Sequence, residues 1–178
     1  MNKFLRVLTS SLAPRPSPRI AAILLVATIL SSCGFQLRGQ AAIPYKTLLI
    51  ETPGYSLFAN DLERAIHSGS KTRIVHSRDD AEAVLKILSE VQEKVILSLS
   101  SGGKVREFEL IYKVAYRLTD RAGKDLTAPS EILLRRDMTY DDTEVLAKES
   151  EELLLYRDMK ADAVQQMLRR LSVAHTAA

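Results

Sequence analysis

The chain has 178 residues, 46% apolar and 26% charged, with one cysteine and no tryptophan. This composition excludes a polytopic membrane protein, a disulfide-built scaffold and a disordered charged tail. Four of the 25 basic residues (Lys3, Arg6, Arg15 and Arg19) precede residue 33, where no acid occurs, so 21 basic groups face 22 acidic ones afterwards. That balance excludes a nucleic-acid footprint and predicts no nucleic-acid partner.

Residues 1–32 read as an export signal. Pro14, Pro16 and Pro18 rule out a stable helix at the start, and an eleven-residue apolar run follows from Ile20 to Leu30. A spanning helix needs roughly 20 apolar residues, so the run is too short to be a permanent anchor. Leu30-Ser31-Ser32-Cys33 resembles the lipobox of bacterial lipoproteins. That resemblance implies cleavage before Cys33, a diacylglyceryl group on its sulfur and acylation of the new amino terminus. Several acyl chains at about 0.8 kcal/mol per buried methylene anchor a protein without a spanning helix. Gly34 rather than an aspartate follows Cys33, which by the same resemblance points to the outer membrane. The lipid on Cys33 is the one expected non-protein group; no cofactor or metal is expected.

Residues 33–44 then form an acylated tether, 45–172 a single domain and 173–178 a short tail. Lys46 to Thr52 predicts a first strand, stopped by Pro53-Gly54. Ser56 to His67 predicts a helix with Leu62, Ala65 and Ile66 on one side, and Thr72 to His76 a short edge strand. From Ala83 the period is two: Leu85, Ile87, Val91, Val95, Leu97 and Leu99 are expected along one face. Ser100-Ser101-Gly102-Gly103 marks a hairpin turn. Beyond it Phe108, Leu110, Tyr112, Val114, Tyr116 and Leu118 share a face, opposite Glu107, Glu109, Lys113, Arg117 and Thr119. Gly123 closes a second hairpin, and Ile132, Leu134, Met138 and Tyr140 mark a third long strand whose apolar face Arg136 interrupts. Asp141, three residues before Glu144, predicts a helix start. The helix runs about 28 residues to Ser172, with Leu153, Tyr156, Met159, Ala163, Met167 and Leu171 on its inner side. The expectation is an α+β fold: a two-layer sandwich with a mostly antiparallel sheet of about four strands and two helices on one face.

Nothing in the pattern assembles a catalytic site. His67, His76 and His175 have no ligand spacing, Gly102-Gly103 sits in a turn, and no metalloprotease, nucleophile-elbow or phosphate-loop motif occurs. Glu107 with Glu109, and Glu149 with Glu151 and Glu152, read as solvated faces. The chain reads as a non-enzyme. Of the basic residues, Lys104 and Arg106 flank the first turn, Arg135 and Arg136 lie in the third long strand, and Lys148 sits early in the last helix.

Cys33-Gly34-Phe35-Gln36-Leu37-Arg38-Gly39 resembles the mature start of the lipopolysaccharide-assembly lipoprotein family, LptE or rare lipoprotein B. The likeness continues through Gly102-Gly103, Glu107-Phe108 and Val145-Leu146-Ala147-Lys148. It implies a two-layer fold and a partner, the LptD β-barrel, which the lipoprotein plugs and helps to assemble in the outer membrane. It also implies binding of lipopolysaccharide. Of the family's basic positions for that binding, one matches Lys148; another meets Ser101, beside which Lys104 and Arg106 stand as substitutes. The alternative is an auxiliary lipoprotein of an ABC-type lipid transport system, which would share the anchor and a small α+β domain.

Overall fold

The computed structural model describes residues 43–174. The export signal, Cys33, most of the tether and His175 lie outside the described residues. In chain order the elements are β1 (Thr47–Glu51), α1 (Leu57–Gly69), β2 (Arg73–Val75), a 3-10 turn (Arg78–Asp80), β3 (Ala83–Leu99), β4 (Val105–Asp120), β5 (Ser130–Thr139) and α2 (Val145–Val173). The strands form one sheet in the order β2-β1-β3-β4-β5.

The α+β class stands, with one strand more than expected and a mixed sheet. β3, β4 and β5 form the antiparallel meander read from the sequence, whereas β1 runs parallel to both β2 and β3. The reason is the connection. α1 carries the chain from the end of β1 back to its start, so β2 enters parallel to β1, and residues 76–82 with their 3-10 turn return it once more for β3. The segment at 72–76 is a true edge strand, three residues long, held to β1 from Thr47↔Arg73 to Leu49↔Val75.

Both helices bury their apolar sides in one cluster against a single face of the sheet. α1 contributes Phe58, Leu62 and Ile66, all buried. Ser56 caps it by accepting the Ala59 amide at 3.0 Å, as the small-hydroxyl preference at this position demands. β4 supplies Leu110, Tyr112, Val114, Tyr116 and Leu118 from alternate positions, the pattern expected of a half-covered strand. α2 contributes Tyr156, Met159, Ala163, Val164, Met167 and Leu171. Each large apolar side chain so buried stabilises the fold by about 1.5–3 kcal/mol. A smaller cluster of Leu49, Ala81 and Val84 closes the other face near β2.

Three local expectations change. First, β3 does not keep one apolar face. Ile87 pairs with Tyr116, but Ser89 pairs with Ala115, so the strand contains a bulge around Leu88. One inserted residue reverses the alternation as far as Ile96, beyond which the register shifts again at Ser98 and Leu99. Val91 and Val95 therefore oppose Lys113 and Glu109 on the face away from the helices, while Glu90, Gln92 and Lys94 turn toward them. Val95, Leu97 and Leu99 are exposed rather than buried. Second, Leu153 is 73% exposed, because the first turns of α2 project beyond the core. Third, Asp141 does not cap α2. Its carboxylate accepts the Thr143 amide at 2.9 Å and hydroxyl at 2.7 Å, a turn of its own, and the helix begins at Val145 behind Glu144.

Arg136, which broke the expected apolar face of β5, reaches Asp162 of α2 at 2.9 Å. The interruption is a strand-to-helix ion pair. Lys94 plays the same part on β3, lying 2.6 Å from Glu152 and 4.2 Å from the centre of the Phe108 ring.

Candidate functional site

The first hairpin turn is built by the backbone. Ser100 donates its amide to the Lys104 carbonyl at 2.7 Å, and its hydroxyl accepts the Lys104 amide at 3.1 Å. Gly103 sits at φ +78°, a conformation that a side chain would strain. This tight closure presents Lys104 and Arg106 at the far end of β4.

The end of β5 is tied to the same place. Tyr140 donates its amide to the Arg106 carbonyl at 2.7 Å, which sets Asp141 and Asp142 beside the hairpin. Lys104 Nζ lies 2.7 Å from Asp142 Oδ2. That hydrogen bond raises the Lys104 pKa, while the hydrogen bonds from Thr143 hold Asp141 below the usual carboxylate range. Ser100, Lys104, Arg106, Tyr140, Asp141 and Asp142 line an open concavity of about 410 Å³. Arg106 forms no side-chain hydrogen bond or ion pair among the described residues. Lys148 enters from the first turn of α2. It is largely covered, donating to Thr139 Oγ1 at 3.2 Å and to Glu151 Oε2 at 2.9 Å, and its charge also favours the ionised Asp141 carboxylate.

The three basic residues singled out in the sequence thus converge on one corner, although 42 positions separate Arg106 from Lys148. Sequence reasoning missed their acidic counterparts. Asp141, Asp142 and Glu151 balance the three positive charges, so this corner is a set of exchangeable ion pairs rather than a bare cationic patch. An incoming anion would take Lys104 from Asp142 and meet Arg106 already available.

The remaining candidates resolve into structure. Glu109 pairs with Arg135 at 2.8 Å, Glu107 accepts the Ser98 hydroxyl at 2.7 Å, and Glu152 pairs with Lys94. Arg135 and Arg136 are both spent on ion pairs within the fold. Among the described residues no group of three potential metal ligands occurs, and no helix is long and apolar enough to cross a membrane.

The family model LptE, described as lipopolysaccharide-assembly, matches residues 45–171, from the residue before Lys46 to the last buried turn of α2. The chain belongs to the LptE family. The LPS-assembly lipoprotein LptE of Yersinia pestis (strain Pestoides F) is 26% identical over 164 residues, covering 89% of this chain and 78% of its own. Among solved structures, an uncharacterized lipoprotein B from Nitrosomonas europaea superposes with a TM-score of 0.72 at 43% identity, covering 81% of this chain and 94% of that one. The rare lipoprotein B from Shewanella oneidensis does so with a TM-score of 0.64 at 27% identity, covering 73% and 96%. The two-layer architecture is therefore the family's own. Membership of LptE gives the chain a role in lipopolysaccharide assembly as an envelope lipoprotein, and bears out the resemblance read from Cys33 to Gly39.

Proposed function

We propose that this LptE is the outer-membrane lipoprotein subunit of the lipopolysaccharide translocon. In this reading it is anchored by acyl chains on Cys33, occupies the lumen of the LptD β-barrel, and contacts lipopolysaccharide during its passage to the cell surface. The role is one of binding and assembly, with no reaction catalysed and no cofactor beyond the covalent lipid. The observation that carries the binding half is the open concavity lined by Lys104 and Arg106, with the Arg106 guanidinium unengaged and Lys148 close by, acting on the Asp141 carboxylate of the same lining. Guanidinium and ammonium groups are suited to the phosphates of a lipid headgroup, the first by paired donors and the second as a point charge.

The plug half rests on surface chemistry. The outward face of the sheet carries Lys113, Arg117, Arg135, Glu93, Glu109 and Glu131 among the apolar Val91, Val95, Ile111 and Leu133, and its charges of both signs are compatible with the polar interior of a large barrel.

Two measurements test the reading. Mild-detergent purification of a tagged chain from its own membranes is expected to recover one large β-barrel protein in equal amount. Recovery with permease and ATPase components instead would favour a transport accessory. Replacing Lys104, Arg106 and Lys148 together by Ala is expected to weaken lipopolysaccharide binding at least about tenfold, since charge-assisted contacts each contribute about 1.5–3 kcal/mol, while barrel recovery is unchanged. Undiminished binding in that variant would remove the site assignment.

A further inference from the structure

Arg106 and Tyr140 stand opposite one another where β5 runs out beside the hairpin. Phe108 and Glu107 pair with Met138 and Thr139, and at the next step the Tyr140 amide donates to the Arg106 carbonyl at 2.7 Å. Cross-strand neighbours so placed carry their side chains on one face, with Cβ atoms about 4.5–5.5 Å apart. An unengaged guanidinium and an aromatic ring therefore flank one space. Phe108 steadies that ring, meeting it at 80° with centres 5.1 Å apart.

Asp141 follows Tyr140 in the same lining. Its Oδ1 accepts both the amide and the hydroxyl of Thr143, which fixes the carboxylate, while Oδ2 accepts no hydrogen bond among the described residues. The charges of the concavity balance, Lys104 and Arg106 against Asp141 and Asp142, and Val105 is the one aliphatic side chain among the described lining residues.

This composition discriminates among the parts of a lipopolysaccharide. An acyl chain finds almost no apolar surface, and an unphosphorylated sugar leaves the guanidinium without a partner. A bare phosphate meets balanced charge and uses neither the ring nor Asp141. A sugar ring that bears a phosphate uses all three groups: paired donors for the phosphate, an aromatic surface for the apolar side of the ring, and a fixed acceptor for a hydroxyl. The space of about 410 Å³ has room for a ring as well as a phosphate.

We propose that this corner holds a phosphorylated sugar of lipopolysaccharide, with its phosphate on Arg106 and Lys104, its ring against Tyr140 and a ring hydroxyl donating to Asp141 Oδ2. Tyr140 and Asp141 thereby set its specificity against a phospholipid headgroup, which has no sugar ring. The inference rests on the lipopolysaccharide-binding reading and adds the moiety and two residues to it.

The test titrates the full chain in a non-ionic detergent with glucose 1-phosphate, phosphoethanolamine and inorganic phosphate, following the Arg106 and Tyr140 amides by NMR. Glucose 1-phosphate is expected to bind at least about fivefold more tightly than the other two, because a site built to bond a hydroxyl discriminates against a ligand without one. Tyr140→Leu, verified as folded by circular dichroism, is expected to abolish that preference and Tyr140→Phe to keep it. Asp141→Asn separates hydrogen bonding from charge. Losing a negative charge favours any anion held by charge alone, so inorganic phosphate should bind more tightly while glucose 1-phosphate binds at least about threefold more weakly. Equal affinities for the three probes, binding of none, an unchanged preference in Tyr140→Leu, or a rise for both anions in Asp141→Asn would each overturn the inference. The two readings fail separately. Equal probe affinities, with lipopolysaccharide binding lost in the Lys104, Arg106 and Lys148 variant, overturn only the sugar subsite. A preference for glucose 1-phosphate, with lipopolysaccharide binding undiminished in that variant, keeps the subsite and removes lipopolysaccharide from it.

Discussion

The Tyr112 hydroxyl donates a 2.6 Å hydrogen bond to Glu90 Oε1, while the other oxygen of the same carboxylate accepts the Ser56 hydroxyl at 2.6 Å. One side chain from the bulged part of β3 thus joins the buried centre of β4 to the cap of α1. The geometry exists only because the bulge turned Glu90 toward the helices.

This network predicts alkaline sensitivity. Burial, and then the hydrogen bond to Glu90, push the Tyr112 pKa well above the ordinary tyrosine value. A group whose pKa is raised on folding contributes stability that is complete below its unfolded value, about 10, and is lost as pH rises past it. Tyr112→Phe is expected to cost about 1–3 kcal/mol at neutral pH, the range for a buried bond to a charged acceptor. It is also expected to flatten the loss of stability above about pH 10. Urea titrations at neutral pH and above pH 10 check both; an unchanged alkaline slope would sink the assignment. Some slope remains in the variant, since burial also raises Tyr45 and Tyr156.

Lys94 should hold the projecting part of the hairpin to α2. Its ammonium is shared between Glu152 at 2.6 Å and the Phe108 ring at 4.2 Å, and both charged side chains are more than two-thirds covered. A double-mutant cycle with Lys94→Met and Glu152→Gln is expected to give a coupling of about 0.5–2 kcal/mol. A coupling near zero would show the pair to be incidental.

Asp142 should oppose anion binding, because it already occupies Lys104. Asp142→Asn is expected to raise the affinity for lipopolysaccharide by up to about fivefold at low salt. The gain should fade toward 1 M salt, where the screening length is about 3 Å. A fall in affinity would mean that Asp142 helps to shape the site rather than compete for it.

Cys33→Ala is expected to abolish metabolic labelling with palmitate and to release the protein from the membrane fraction. Labelling that persists would refute the reading of Leu30 to Cys33 as a lipobox.

Much of this protein was legible as a sequence, and the reason differs by segment. β4 was readable because every second side chain from Phe108 to Leu118 is apolar, a period of two that Ile111 and Ala115 on the other face do not hide. α2 was readable because three- and four-residue steps hold from Tyr156 to Leu171. The family, and the anchor proposed on Cys33, were read from a short stretch, Leu30 to Gly39, where chemistry depends on residue identity rather than on packing. The basic residues of the candidate corner could be picked out singly, but not the acids that neutralise them, since an ion pair between Lys104 and Asp142 depends on how β5 returns to the hairpin.

Tertiary structure alone decided the rest. The bulge around Leu88 leaves no mark in composition, yet it moves Val91 and Val95 to one face and Glu90 and Lys94 to the other. The parallel placement of β1 follows from how α1 packs, and the open edge of β3 follows from β1 being only five residues long beside a strand of seventeen. Periodicity states which residues share a face. Which face is covered, and where the cover ends, depends on the lengths of neighbours that meet only in the folded chain.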